Sequence, residues 1–361
     1  MNEKPCMYIC SPTSFSGKSL ISLGLALNFR EQGHDVGYFK PVGCEMGTYA
    51  QGEKIDEDVR LMKGVLDLQL SMDVLVPVIF GARFLGETQH TTSQFYMKKI
   101  LSAHNQIAQG KDILILEGPC SFGVGSCMDI DPISLSQRLN APILLVSRFQ
   151  DDRTIDQVSW ISRIINKFGG SSIGLILNRI PREDVERVKR FALPVLNECG
   201  VELLGIVPEN LELMAPTVRE ICTTTKCEVL TATDHLDNLI EDFLVGAMSP
   251  ESSLSYFRRS FRKAVITGGD RTDVQLAALE TKLSALILTG NLYPDARVLA
   301  RAEELDVPVL LAPWDTYSTV RRISSLTGRI NPEDERKISL AKTLISQHVN
   351  WMKILNRLIP K

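Results

Sequence analysis

The sequence predicts two α/β domains in succession, the first a doubly wound and mostly parallel sheet. Three observations carry that expectation. Short apolar runs alternate with helix-period stretches from residue 7 to about residue 210, as buried parallel strands and their crossover helices do. The first of these runs leads into Gly17-Lys18-Ser19, which opens a helix. Beyond about residue 210 a second and shorter strand-helix series begins.

In order, Met7–Cys10 reads as a buried strand and Lys18–Gln32 as a helix with apolar Leu20, Leu23 and Leu27, stopped by Gly33. Strands follow at 35–39, 113–116, 143–146, 173–177 and 203–207, separated by helical stretches at 92–109, 153–168 and 183–199. The second series has a helix at 217–223, an extended stretch at 227–230, and strands at 264–267, 283–289 and 307–312. Helices at 272–281 and 294–304 separate those strands, with Pro294 expected in a first helical turn. The stretch 246–262, rich in Ser, Pro and Arg, reads as a connector. An amphipathic helix at 339–358 closes the chain, its apolar face for the body or for a dimer partner. The expected domains are 1–212, 213–328 and a helical tail at 329–361.

The chain has 361 residues, enough for two cores, with 44% hydrophobic and 23% charged residues. Its formal net charge is −3 and no basic stripe offsets it, which argues against nucleic-acid binding. No run nears the ~20 apolar residues that span a bilayer, and the N-terminus lacks a signal-peptide pattern. A cytoplasmic protein without membrane contact is expected. Eight cysteines include no C-x-x-C pair, so a structural metal site is not expected.

The chemistry concentrates at Ser11-Pro12-Thr13-Ser14-Phe15-Ser16-Gly17-Lys18-Ser19, which has the ending of a P-loop. The amides of Thr13, Ser14, Phe15, Ser16 and Gly17 would cradle phosphate oxygens at the helix N-terminus. Lys18 would bring charge to the β/γ-phosphates, and Ser19 would ligate Mg²⁺. Pro12 stands where a standard loop has glycine. Glu117, at a strand end before Gly118-Pro119, is placed to hold the metal. Asp56 and Asp58 have two open readings, as metal partners or as the capped start of a helix. Lys40, at a strand end before Pro41, is a second phosphate contact. Asn178, Pro208 and Glu209 are candidates for the base end of a nucleotide. Mg-ATP is the expected ligand, with Lys18 and Lys40 as its catalytic cations.

At these residues the chain resembles dethiobiotin synthetase and its relatives over about residues 5–210. The shared features are the deviant loop ending in Gly17-Lys18-Ser19, Phe39-Lys40-Pro41-Val42, an Asp around 56–58, Glu117-Gly118, Asn178 and Gly205-Ile206-Val207-Pro208. The resemblance implies that Lys18 and Lys40 bind phosphates and substrate, that the acidic residues and Ser19 hold Mg²⁺, and that Asn178 and Pro208 contact adenine. The chain departs from that family at Gly43-Cys44-Glu45-Met46, where a small-hydroxyl loop would hold the diamine substrate.

Residues 214–325 resemble the DRTGG domain, through Ala215-Pro216-Thr217-Val218-Arg219-Glu220, Thr267-Gly268-Gly269-Asp270-Arg271-Thr272 and Thr289-Gly290-Asn291. The tandem is similar to the N-terminal regulatory half of long phosphotransacetylases and to stand-alone phosphotransacetylase-like proteins. The sequence ends before an acetyltransferase domain would begin, so acetyl-phosphate chemistry is not expected of it. Arg271 is either an anion contact or half of an Asp270–Arg271 turn brace.

Three functions fit these residues. The first is a regulatory or sensor ATP-binder with slow hydrolysis, the second an ATP-dependent ligase that phosphorylates a small carboxylate or carbamate, and the third a scaffold that binds no nucleotide. The regulatory ATP-binder is the expected one. ATP or another nucleotide is its small-molecule partner, and the resemblance implies a homodimer.

Overall fold

The computed structural model describes residues 4–44, 49–50, 53–54, 56–81, 83–87, 92–324 and 330–359. Glu45 and Met46 of the departing loop, and the expected boundary at 328, lie outside them. The chain folds as two compact units, one of Met1–Glu209 with Ile330–Lys361 and the other of Asn210–Arg329.

The first unit is built on β1 (Cys6–Cys10), α1 (Lys18–Glu31), β2 (Val36–Phe39), β3 (Val42–Cys44), α2 (Glu57–Val65), β4 (Val78–Phe80), α3 (Ser93–Ile107) and β5 (Ile113–Glu117). It continues with α4 (Pro132–Arg138), β6 (Ile143–Arg148), α5 (Arg153–Lys167), β7 (Ser172–Ile180), α6 (Val185–Glu198) and β8 (Leu203–Pro208). Six strands form one parallel sheet in the order β8-β7-β6-β1-β5-β2. The chain moves from β1 to one side for β2 and β5, then crosses to the other side of β1 for β6 to β8. Ligand sites of open α/β sheets form where the order reverses, beyond the carboxyl ends of the strands. Here that is the end of β1. The strands also finish level, since Ile9 is beside Glu117 and Phe39 beside Leu116.

Helix α1 is buried almost all round, with Ile21, Leu23, Leu25, Ala26 and Phe29 fully covered. That differs from the one-sided helix its polar Asn28, Arg30 and Glu31 suggest. The outer face is covered by the chain's own C-terminus, which forms α12 (Glu335–His348) and α13 (Trp351–Leu358); the labels between these and β8 belong to the second unit. Gly24 makes the approach of α12 to α1 feasible, because a Cβ there would lie 2.3 Å from Ile345 Cγ1. Asn28 Nδ2 donates to Gly24 O at 2.7 Å and to Lys342 O at 3.3 Å, while its buried Oδ1 has no hydrogen-bond partner among the described residues. The single helix expected at 339–358 is divided at Val349 and Asn350. Val349 is extended and pairs with Gly205, and Asn350 N donates to Leu204 O at 2.7 Å. A backbone bond to the sheet edge takes the place of one helical turn.

The second unit contains α7 (Val218–Thr225), β9 (Glu228–Val229), β10 (Asp242–Val245), α8 (Pro250–Phe257), β11 (Lys263–Gly268) and α9 (Thr272–Leu279). It is completed by β12 (Leu283–Thr289), α10 (Ala296–Glu304), β13 (Val309–Leu311) and α11 (Thr316–Ser324). Its sheet runs β9-β13-β12-β11-β10, parallel except for β9. One apolar layer packs around Phe257, Val274, Val298 and Leu288, and the opposite layer around Val218, Ile221, Ile266 and Ile323. The expected connector holds a helix instead. Ser249 accepts from Ser252 N at its start, Pro250 fills the first turn, and Phe257 anchors it in the core. Pro294 sits just outside α10, whose cap is Asp295, accepting from Arg297 N at 2.9 Å. Among the described residues no helix is long and apolar enough to cross a membrane.

Candidate functional site

The site grows from the turn between β1 and α1. Gly17 caps α1 in the left-handed region, φ 87°, and among the described residues no side chain caps the first amides of the helix. Those free N–H groups and the positive end of the helix dipole form an anion-binding end. Gly17 is required twice over, by its φ and by space, since a Cβ would fall 2.1 Å from Asn178 Nδ2. The loop braces itself. Ser11 Oγ and Ser16 Oγ both donate to Thr13 O, at 2.9 and 2.8 Å, while Thr13 and Phe15 face outward and Ser14 is half-buried.

Lys18 is buried, and its Nζ donates to Ser11 Oγ at 2.8 Å. Burial lowers its pKa, opposed by the attraction of Glu117 and reinforced by Lys40. Ser19 Oγ lies between two carboxylates, 2.6 Å from Asp58 Oδ1 and 3.0 Å from Glu117 Oε1. Ser22, one turn on, donates to Glu117 Oε2 at 2.9 Å. From the end of β2, Lys40 Nζ contacts Asp56 at 2.8 Å and Asp58 at 2.6 Å. Of the two open readings of Asp56, the structure shows the helix cap, because its carboxylate accepts from Asp58 N and Val59 N at the start of α2 while also binding Lys40.

The charges set one another. Glu117 is fully buried, and burial together with the charge of Asp58 pushes its carboxyl up to about 7, against the pull of Lys40 and Lys18. Burial also works against ionised Asp58, but Lys40 and Ser19 outweigh it and hold that carboxyl well below the usual carboxylate range. Lys40 stays above the usual amine range despite its burial, because Asp58 and Asp56 surround it.

Ser19, Asp58 and Glu117 converge hard oxygen atoms of the kind Mg²⁺ prefers. Among the described residues no group of three or more His, Cys, Asp or Glu side chains is arranged to hold a metal ion alone. Lys40 occupies the middle of the acidic set. A metal there would draw most of its ligands from phosphate and water, as Mg²⁺ on a nucleotide does.

The structure therefore gathers Lys18, Ser19, Lys40, Asp56, Asp58 and Glu117. Asn178 joins them from β7, but beneath the loop, where its Nδ2 donates to Ser16 O at 2.9 Å. Pro208 and Glu209 stand farther along the same carboxyl edge, at the end of β8, and Glu209 N donates to Ile180 O at 2.8 Å. Sequence reading placed Ser11 in the phosphate loop without a role and missed Ser22; their roles are found only as partners of Lys18 and Glu117. It also missed Arg179, which follows Asn178 at φ 55° and whose guanidinium is held down by burial and by the nearby charge of Arg148. A disulfide joins Cys44, the last residue of β3, to Cys120 in the loop after β5. Their separation of 76 residues gave no pairing signal.

In the second unit the turn at 268–271 is tightly packed. A Cβ on Gly269 would fall 1.8 Å from Leu292 O, and Gln275 Nε2 donates to Gly268 O and Gly269 O at 2.8 and 3.0 Å. Arg271 pairs with Asp273 at 3.4 Å and donates to Met248 O at 3.1 Å, so the brace runs to Asp273 and not to Asp270.

Residues 6–217 match the AAA domain family, and residues 220–326 match the DRTGG domain. Curated relatives include the phosphate acetyltransferase of Nitratidesulfovibrio vulgaris, 25% identical over 371 residues, and that of Synechocystis, 25% identical over 365. Each alignment covers 98% of this chain and 51% of the relative, so the chain spans about half the length of these relatives. Among solved structures, MinD from Aquifex aeolicus aligns at a TM-score of 0.38 and 16% identity, covering 58% of this chain and 84% of that one. A ParA family ATPase from Chlorobium tepidum aligns at 0.37 and 13%, covering 58% and 87%. Scores of that size bear on nothing beyond the general fold. The phosphate loop, the parallel sheet and the match over 6–217 agree, and the chain belongs to the AAA domain family, followed in sequence by a DRTGG domain.

Proposed function

We propose that this chain is a regulatory Mg-ATP-binding protein in which residues 6–217 hold the nucleotide. One observation carries the reading: Lys18, Ser19, Lys40, Asp56, Asp58 and Glu117 meet around an uncapped helix N-terminus, largely buried. Packing alone gives no reason to bury two lysines and the carboxylates of Asp56 and Glu117 together beside a half-exposed Asp58, since each buried charge loses hydration. A nucleotide does. Its phosphates would take the free amides and Lys18, and its Mg²⁺ would meet Ser19, Asp58 and Glu117. Lys40 would then pass from the carboxylates, which the metal neutralises, to a phosphate oxygen.

Catalysis at such a site is positioning and charge neutralisation. The charges are already answered within the site: Lys40 by Asp56 and Asp58, Glu117 by the hydroxyls of Ser19 and Ser22, and Lys18 by the hydroxyl of Ser11. That arrangement suits holding a nucleotide with slow hydrolysis and supports the regulatory reading over the ligase. Pro208 and Glu209 would border the base. Asn178 would act mainly by fixing the loop. A homodimer accompanies this reading as an expectation from the resemblance, and a cytoplasmic setting as a separate expectation.

The test is phosphate release from Mg-ATP, measured alone and with small carboxylic acids or diamines, in the parent and in Lys18→Ala. Slow release that ignores the acceptors and is lost in Lys18→Ala supports the regulatory binder. Release that rises with an acceptor moves the protein to the ligases.

A further inference from the structure

The two loops that carry the site's deepest charges are tied together by sulfur. Lys40 leads through Pro41 into β3, which ends at Cys44; Glu117 leads through Gly118 and Pro119 to Cys120. Cys44 and Cys120 are disulfide-bonded, with Cα atoms 6.0 Å apart, and Cys120 N donates to Cys44 Sγ at 3.2 Å. Both loops also press on the site. A Cβ on Gly43 would fall 2.9 Å from Asp56 Oδ2, and one on Gly118 would fall 3.1 Å from Cys10 Sγ and 3.2 Å from Ile9 O, at the root of the phosphate loop. Both cysteines are half-buried, open enough for exchange, whereas Cys6 and Cys10 are covered.

We propose that Cys44 and Cys120 form a redox-modification site, a dithiol that takes a small-molecule disulfide as its oxidant and whose bonded form orders the loops bearing Lys40 and Glu117. The chemistry is two thiol–disulfide exchanges. One cysteine thiolate attacks a sulfur of the oxidant, forming a mixed disulfide and releasing one oxidant thiol. The second cysteine thiolate attacks the first cysteine's sulfur, closing the intrachain bond and releasing the other thiol. One S–S bond is broken and one formed. Two electrons pass to the oxidant, and the two cysteine protons end on its thiols.

Ordering the loops pre-organises the cluster. The bonded form therefore binds Mg-nucleotide more tightly, and by reciprocity bound nucleotide favours the bond by the same factor. This last step rests on the nucleotide reading above; the ordering of the loops does not.

The test equilibrates the full chain in reduced and oxidised glutathione at graded ratios. Thiol links are mapped by alkylation and peptide mass, and amide hydrogen exchange is followed at 40–44 and 117–120. Mg-ATP affinity is measured in the same samples. The expected result is a 44–120 link, exchange slowed about tenfold in both loops of the linked form, and affinity tighter by about fivefold. Cys44→Ser and Cys120→Ser should hold the reduced-state values at every ratio, while Cys127→Ser behaves as the parent. Should the serine variants not fold, the parent's own titration decides. Absence of the 44–120 link at every ratio, or a link that leaves exchange of both loops unchanged, overturns the proposal. If neither redox state binds Mg-ATP, the nucleotide reading fails, and linkage and exchange still decide the redox claim.

Discussion

Two glycine turns, one in each unit, bring backbone into close contact for different ends. Gly17 leads into free helix amides with buried Lys18 and Glu117 beside them, each held by serine hydroxyls, Lys18 by Ser11 and Glu117 by Ser19 and Ser22. Gly268 and Gly269 lead into a turn whose carbonyls are held by Gln275 and whose charged residue, Arg271, lies at the surface beside Asp273. Tight glycine geometry by itself therefore indicates close packing. Function is indicated where buried charge and unsatisfied amides accompany it.

The largest expected effect is on the first turn. Lys18→Ala removes a charge-assisted contact to phosphate and should weaken Mg-ATP binding by about 100-fold, or ~3 kcal/mol, as read by calorimetry. Arg271→Ala should leave that affinity unchanged. Gly17→Ala comes next, combining a left-handed φ with a collision on Asn178. A loss of about 2–3 kcal/mol in denaturant unfolding is expected; a change below ~0.5 kcal/mol would show that the loop relaxes freely.

A pH effect of about 1.4 kcal/mol per unit follows from Glu117. Its carboxyl is raised to about 7 in the folded chain, so the proton competes with a metal below that value. Mg²⁺-dependent nucleotide affinity should fall up to about tenfold per unit as pH drops below 7, level off above it, and be accompanied by proton release. In the folded chain without metal the sign reverses. A raised folded pKa favours the protonated state, so this group's stability is fully present below its ordinary range near 4.5 and is lost as pH rises through 7. Affinity independent of pH between 5.5 and 8 would remove Glu117 from the metal.

The smallest effect belongs to the second turn. Arg271→Ala breaks an exposed pair and should cost at most about 0.5 kcal/mol. A loss several times larger would mean that this arginine carries more than a surface brace.

Much of this was legible in the sequence, for physical reasons. Buried parallel strands must be apolar on both faces, so β1, β5, β6 and β12 stood out as continuous runs. A lysine or carboxylate at the carboxyl end of such a strand has one place to go, which made Lys40 and Glu117 visible. Long-range pairing was not legible. Nothing local in Asn28 or Gly24 says that a helix more than 300 residues later will cover them, and only the 2.3 Å approach of Ile345 explains that glycine. Ser22 and Ser11 share this property, since a serine acquires its role from what folds against it. Strand β10 was hidden for another reason: Asp242-Phe243-Leu244-Val245 is a short edge strand, half-covered and with no long apolar run.

The most direct measurement is a calorimetric titration of the parent protein with ATP, with and without Mg²⁺. One site is expected, with an affinity of about micromolar and clear weakening when the metal is left out. No binding up to millimolar ATP would contradict the nucleotide reading and leave the buried lysines and carboxylates without a ligand.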